Sequence, residues 1–282
     1  MIRGIHTLAA LILGLGFLQF TKAFSQEPGA FKWKPGQVLH YQVQHVTEVQ
    51  EKVGDSTTEF KNRLDLQKRW QVEKVTPNGI ATLTLTIPTI KMETTSPKGE
   101  TLSYDSTKPG EGSKELKAQL EKYTTGKIAV VFLDTQGRLR GVKESNFGAA
   151  EKYKVELPFS LVVPEGKISK DLAWVRDFTI TLDPPQGTGE KFETTQRFEC
   201  TDLQNQLTTI KITTQLKAAP ANEADWIPLL PFLPEGEAVL DTQAGILKEA
   251  VLKTDRTIKG HQGEGSSYRF HSVFRETLSS VR

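Results

Sequence analysis

The sequence predicts a mainly β protein of long curved antiparallel sheets, barrel-like or half-barrel-like, in two similar halves with one or two short helices. Three observations predict it: apolar residues alternating with period two over long stretches, segments too long for ordinary strands, and an internal repeat of one hairpin signature. Leu39, Tyr41, Val43 and Val49 fall on one face of the first segment. Phe60, Leu64, Leu66, Trp70 and Val72 share a face of the second, and Leu83, Leu85 and Ile87 mark the third. At Pro88 the apolar parity changes to Ile90 and Met92, as a bulge or an edge position requires. Later faces are Leu172, Trp174, Phe178, Ile180 and Leu182, then Tyr268, Phe270 and Phe274. Segments of about ten residues or more, against a usual strand of about five or six, twist and curve, so the sheet acquires a concave face.

The repeat is a strand, a tight turn and a second strand. Gly126 leads into Val130–Leu133 and the turn Asp134-Thr135-Gln136-Gly137; Gly236 leads into Val239, Leu240 and Asp241-Thr242-Gln243-Ala244-Gly245. An Asp opening the turn and a Gly closing it suit a type I turn followed by a bulge. The halves run over 26–150 and 151–282. Helix is expected at Lys114–Tyr123 behind Ser113 as N-cap, with Leu116, Leu120 and Tyr123 as one stripe, and more weakly after Asn146 with Ala149, Ala150 and Tyr153 inward.

Residues 1–25 read as a secretory signal. Arg3 and His6 precede an uncharged run from Leu8 to Phe20, followed by Ala23 and Ser25 before Gln26. That run is shorter than the about 20 residues of a spanning helix, so cleavage before Gln26 and no membrane span afterwards are expected, with an exported, periplasmic or extracellular protein as the result. No cysteine near the cut rules out lipid modification there. Removing 1–25 takes Arg3 and Lys22 and no acid, so 36 basic residues fall to 34, equal to the 34 acidic ones. A neutral chain without a block of like charges argues against nucleic acid as a partner. Cys200 is the single cysteine, so no internal disulfide forms; its alternation with Phe192 and Phe198 predicts a buried thiol.

No nucleophile elbow, Walker loop, zinc-binding helix or dinucleotide fingerprint is present, and no cofactor is expected. His40 and His45 point to opposite faces of a strand, with His45 inward; His271 lies on a charged face and His261 in the glycine-rich stretch Gly260–Gly265. Two acids could be joined by the fold for glycoside hydrolysis, yet the four tryptophans that could form sugar platforms are scattered. The most unusual stretch is Trp226-Ile227-Pro228-Leu229-Leu230-Pro231-Phe232-Leu233-Pro234, where prolines three apart suggest a polyproline-type segment and the residues between are apolar. It is a connector buried across a sheet end, a lid or lining of a hydrophobic cavity, or an exposed patch for a partner. Trp226, Ile227, Leu229, Leu230, Phe232 and Leu233 are therefore the candidate ligand-binding residues. A shorter cousin runs from Leu157 to Gly166.

The opening Phe31-Lys32-Trp33-Lys34-Pro35-Gly36-Gln37, the turn at 133–137 and the Val163-Pro164-Glu165-Gly166 connection to Trp174 resemble an uncharacterised group of secreted β proteins of planctomycete-type bacteria. The resemblance covers most of the mature chain. Where such proteins place a glycine shortly before this tryptophan, the sequence reads Lys170-Asp171-Leu172-Ala173. The family implies no activity. In design, a curved antiparallel sheet with small helices is similar to envelope carriers of lipoproteins and lipids. The sequence thus points to a non-enzymatic envelope or secreted protein that binds an apolar ligand or a protein partner on a curved β surface. A structural or assembly module without a small ligand and a hydrolase of envelope polymers are the alternatives.

Overall fold

A computed structural model describes residues 30–108, 110–147, 153 and 161–282. The leader at 1–25, Ala149 and Ala150 of the second expected helix, and Leu157–Ser160 lie outside the described residues.

Twelve strands form one antiparallel sheet. In chain order they are β1 (Val38–Val53), β2 (Ser56–Val75), β3 (Ala81–Thr95), β4 (Thr101–Asp105), β5 (Lys127–Leu133), β6 (Leu139–Ser145), β7 (Ala173–Leu182), β8 (Glu190–Gln204), β9 (Leu207–Leu216), β10 (Glu235–Asp241), β11 (Ile246–Lys259) and β12 (Ser267–Val281). The spatial order is β6-β5-β3-β2-β1-β12-β11-β10-β9-β8-β7, with β4 paired to β3 beside this path. Neighbours are consecutive strands except at β3–β5, where β4 intervenes in the sequence, and at one long-range seam, where β1 meets β12 from Leu39 opposite Val281 to Lys52 opposite Ser267. The sheet is not closed, and β6 and β7 are its outer strands.

The predicted parity holds. Leu39, Tyr41, Val43, Leu66, Trp70, Val72, Leu83 and Leu85 are buried, as their alternation requires. The parity change at Pro88 is a bulge in β3: Gln67 pairs with Thr89 and Arg69 with Thr86, so Ile87 and Pro88 stand opposite Lys68 alone. Their main cluster joins Leu83 and Val131 from one end of the strand order to Phe198, Ile210 and Ile212 from the other. The sheet therefore curls until its two wings face each other across a shared interior.

Both stretches with the Asp-Thr-Gln turn are hairpins, β5–β6 and β10–β11, and both turns meet the same segment at the start of the described chain. Phe31 N donates to Thr135 O at 2.7 Å and Lys32 N to Gly245 O at 3.1 Å. Trp33, stacked on Phe31 at 5.1 Å, donates its indole N–H to Asp134 O at 3.1 Å. The turn glycines are needed for this approach. A Cβ on Gly137 would lie 2.6 Å from Leu161 O, and one on Gly245 would lie 2.4 Å from Lys32 N, with φ at +79° and +66°.

Helix α1 (Lys114–Thr124) starts where expected, with Ser113 Oγ accepting from Leu116 N. Its stripe covers Val43, Leu66, Ile90 and Tyr104. Cys200 is buried beside Phe198, and burial pushes its thiol above the ordinary range. Native protein is accordingly expected to react with a thiol reagent on the timescale of unfolding rather than of mixing, which a time course in native and denaturing buffer checks.

The proline-spaced segment departs from expectation. Glu223–Phe232 is a 3₁₀ helix containing Pro228 and Pro231, not an extended polyproline segment. The two conformations share three residues per turn and a φ that proline accepts, so proline spacing alone cannot choose between them. Burial of Leu229 and Leu230 favours the compact form.

Candidate functional site: a divided cavity on the concave face

Between the facing wings lies a cavity of about 470 Å³, open to solvent and mostly apolar in lining. Strands β1, β2 and β3 contribute Val43, Leu66 and Ile87; β11 and β12 contribute Leu252 and Phe274; Phe178 comes from β7. Tyr123 of α1 and Phe147 close one side, their rings 4.5 Å apart. Pro231, Phe232 and Pro234 form the opposite wall. Most of these residues belong to the alternating faces that predict core; the curl of the sheet leaves them around a space instead.

A small polar set interrupts the lining. His45 Nε2 lies 2.8 Å from Ser272 Oγ, and its ring meets Phe274 edge-on at 5.9 Å. Burial first, and Lys68 second, hold His45 below the ordinary histidine value, so it is neutral at pH 7. Lys68 sits over the Phe274 ring at 5.5 Å and reaches Glu276 Oε2 at 3.4 Å. Glu276 is fully buried, and its charge together with burial pushes the Tyr41 phenol well above its ordinary range, burial being the larger cause. Tyr41 donates to Leu247 O at 2.9 Å. On the far side Gln196 donates to Thr214 Oγ1 at 3.0 Å and accepts from Arg176 Nε at 2.9 Å. Burial brings the Arg176 guanidinium down to about 10, which leaves it charged at neutral pH.

The His45–Ser272 contact has the reach of a nucleophile and base. Ser272, however, stands mid-strand between Thr47 of β1 and Thr254 of β11, so the backbone N–H groups beside it serve the ladders and form no oxyanion hole. The other histidines lie apart. His261 Nε2 donates to Glu51 Oε1, 2.8 Å away, pinning the β11–β12 turn, and His271 faces Asp255 on the outer surface. Among the described residues no group of three His, Cys, Asp or Glu side chains is arranged to hold a metal.

The six candidate residues divide over the faces of the 3₁₀ helix. Phe232 lines the cavity. Leu229 is buried against Ile180 and Leu182, and Leu230 against Ile258 and Phe270. Ile227 packs half-buried on the second of these groups. Trp226, Leu230 and Leu233 line another cavity of about 390 Å³ on the other side of the helix.

No family model matches the chain. No curated protein matches it either. Among solved structures, one of lipovitellin, described by its lipid–protein interactions, is similar at a TM-score of 0.47 and 13% identity, over 89% of this chain and 26% of the other. The chain thus spans about a quarter of that protein's length. At this distance the site's own geometry has to carry the functional argument. No helix among the described residues is long and apolar enough to cross a membrane.

Proposed function

We propose that this protein is a non-enzymatic, exported binding protein that holds an apolar molecule in the concave face of its sheet. The cavity carries this reading. Its volume falls within the range of about 300–1,000 Å³ usual for small-molecule sites, and its lining is mainly aliphatic and aromatic with a few grouped polar side chains. A filled interior would have suited a purely structural module. The leader-like residues 1–25 are the basis for export, and the expected partner is an apolar ligand of the envelope.

We assign the 3₁₀ segment two roles, and a neutral solvatochromic dye tests them. Wild-type protein is expected to take up the dye saturably. Phe232→Ser, at the cavity wall, should weaken uptake by roughly tenfold, in proportion to lost apolar contact, with little change in the melt. Ile87→Trp, which fills the cavity, should also weaken it. Leu230→Ser should chiefly lower the melting temperature, because Leu230 is 1% exposed. Absence of saturable uptake by wild type, or equal uptake by wild type and Ile87→Trp, overturns the proposal.

A further inference from the structure

We propose that the second cavity recognises an anionic head group through Arg256, so that the ligand is an anionic amphiphile rather than a neutral hydrocarbon. This rests on the reading of the concave face as a binding site and names the chemical class of its ligand.

The second cavity exists because a strand lane empties. β10 begins at Glu235, opposite Thr213 on β9 and Lys253 on β11. Both neighbours run on past this point, to Leu216 and Lys259, but the residue before Glu235 is Pro234, which has no N–H to give to a ladder. There the chain leaves the sheet for the 3₁₀ helix, and the gap between β9 and β11 becomes a slot lined by Leu216, Ile258, Trp226, Leu230 and Leu233. After a first turn that carries Glu223 and Asp225, the helix is apolar on every side from Trp226 to Phe232, a pattern suited to burial. Here it has cavity on two sides, so it acts as a partition.

Arg256 is out of place in this slot. It follows Leu252 and Thr254 and precedes Ile258 in the row of β11 that faces inward, and it lines the slot while the other three are buried. It has no ion pair or side-chain hydrogen bond among the described residues, and Asp255 beside it points to the other face, towards Arg269 and His271. A guanidinium at the mouth of an apolar slot offers a planar, permanently charged fork matched to carboxylate or phosphate. The slot and the larger cavity adjoin along this row and across the Gln196–Thr214 hydrogen bond. A chain can therefore lie in apolar surroundings while its head reaches Arg256.

The experiment measures displacement of the neutral dye by oleate, oleyl phosphate and oleyl alcohol from wild type, Arg256→Gln and Arg256→Lys. Wild type is expected to bind an anionic ligand more tightly than the alcohol, and the tighter of oleate and oleyl phosphate identifies the head group. Arg256→Gln should weaken that ligand by about tenfold or more, as loss of a charge-assisted hydrogen bond does, and leave the alcohol unchanged; Arg256→Lys should fall between. Because Arg256 is exposed, all three proteins should melt alike, which separates a binding effect from a folding one. Anionic binding unchanged in Arg256→Gln, or weakened equally with that of the alcohol, overturns the inference. Dye binding without displacement by either anion overturns it while leaving the apolar-site reading in place; no dye binding removes both.

Discussion

Lys68→Met is expected to destabilise the protein by about 3–5 kcal/mol, the usual result of stranding a buried charge. The Lys68 ammonium is 3.4 Å from Glu276 Oε2, and the glutamate side chain is fully buried while that of Lys68 is 14% exposed. Glu276 stands on the central strand β12, between Val43 of β1 and Ala250 of β11. Its other oxygen, Oε1, has no hydrogen-bond partner among the described residues, so little else offsets its desolvation. Much of the cost should return in the double variant Lys68→Met/Glu276→Leu, since removing both charges also removes both desolvation costs. Chemical denaturation of the two single variants and the double variant measures this coupling. Equal stability of wild type and Lys68→Met would show that the pair contributes nothing to the fold.

Phe198→Ala should cost a comparable amount, about 3–5 kcal/mol, through a different cause. Phe198 is wholly buried and stacks on Trp174 of the outer strand β7, with ring centroids 5.6 Å apart and planes 12° from parallel. Trp174 in turn donates its indole N–H to Val162 O at 2.6 Å. Truncating Phe198 leaves a void where the two wings of the sheet meet and frees the tryptophan that ties β7 to the segment before it. The denaturation midpoint should fall sharply, and Trp174 fluorescence should shift to the red before the global transition. Phe198→Leu, which keeps most of the volume, should lose much less.

Most strands and their inward faces, the parity change at Pro88 and helix α1 were legible in the sequence, because each is fixed by local alternation or by a local steric rule; β4 and β9 were not read from it. The burial of Cys200 beside Phe198 followed from the same parity. What parity cannot reveal is whether an inward face meets another face or a space. Leu66, Ile87 and Phe274 read as core, and only the curl of the sheet makes them cavity wall. A signal was present in the polar residues that keep step with apolar ones: Lys68 between Leu66 and Trp70, Arg256 between Thr254 and Ile258, and Glu276 between Phe274 and Leu278. Each breaks a hydrophobic row on an inward face, where a charge needs a specific reason to stand. The 3₁₀ helix was illegible for another reason: a three-residue proline period fits two conformations, and contacts with Ile180 and Ile258, distant in sequence, decide between them.

The seam between β1 and β12 also governs how the molecule can come into being. A chain made or exported from its N-terminus presents β1 first, yet the partner on one side of β1 is the last fifteen-residue strand, and Leu39 waits for Val281. Hairpins such as β1–β2 and β8–β9 can zip locally as they emerge, but the centre of the sheet closes only through contacts of the greatest sequence separation, which are slow to form. Until then β1 and β11 each carry a long, unpaired edge, the kind of surface that invites pairing with a neighbouring chain. Each half of the sheet can thus form by itself, and β12 acts as the keystone that turns two sticky half-sheets into one.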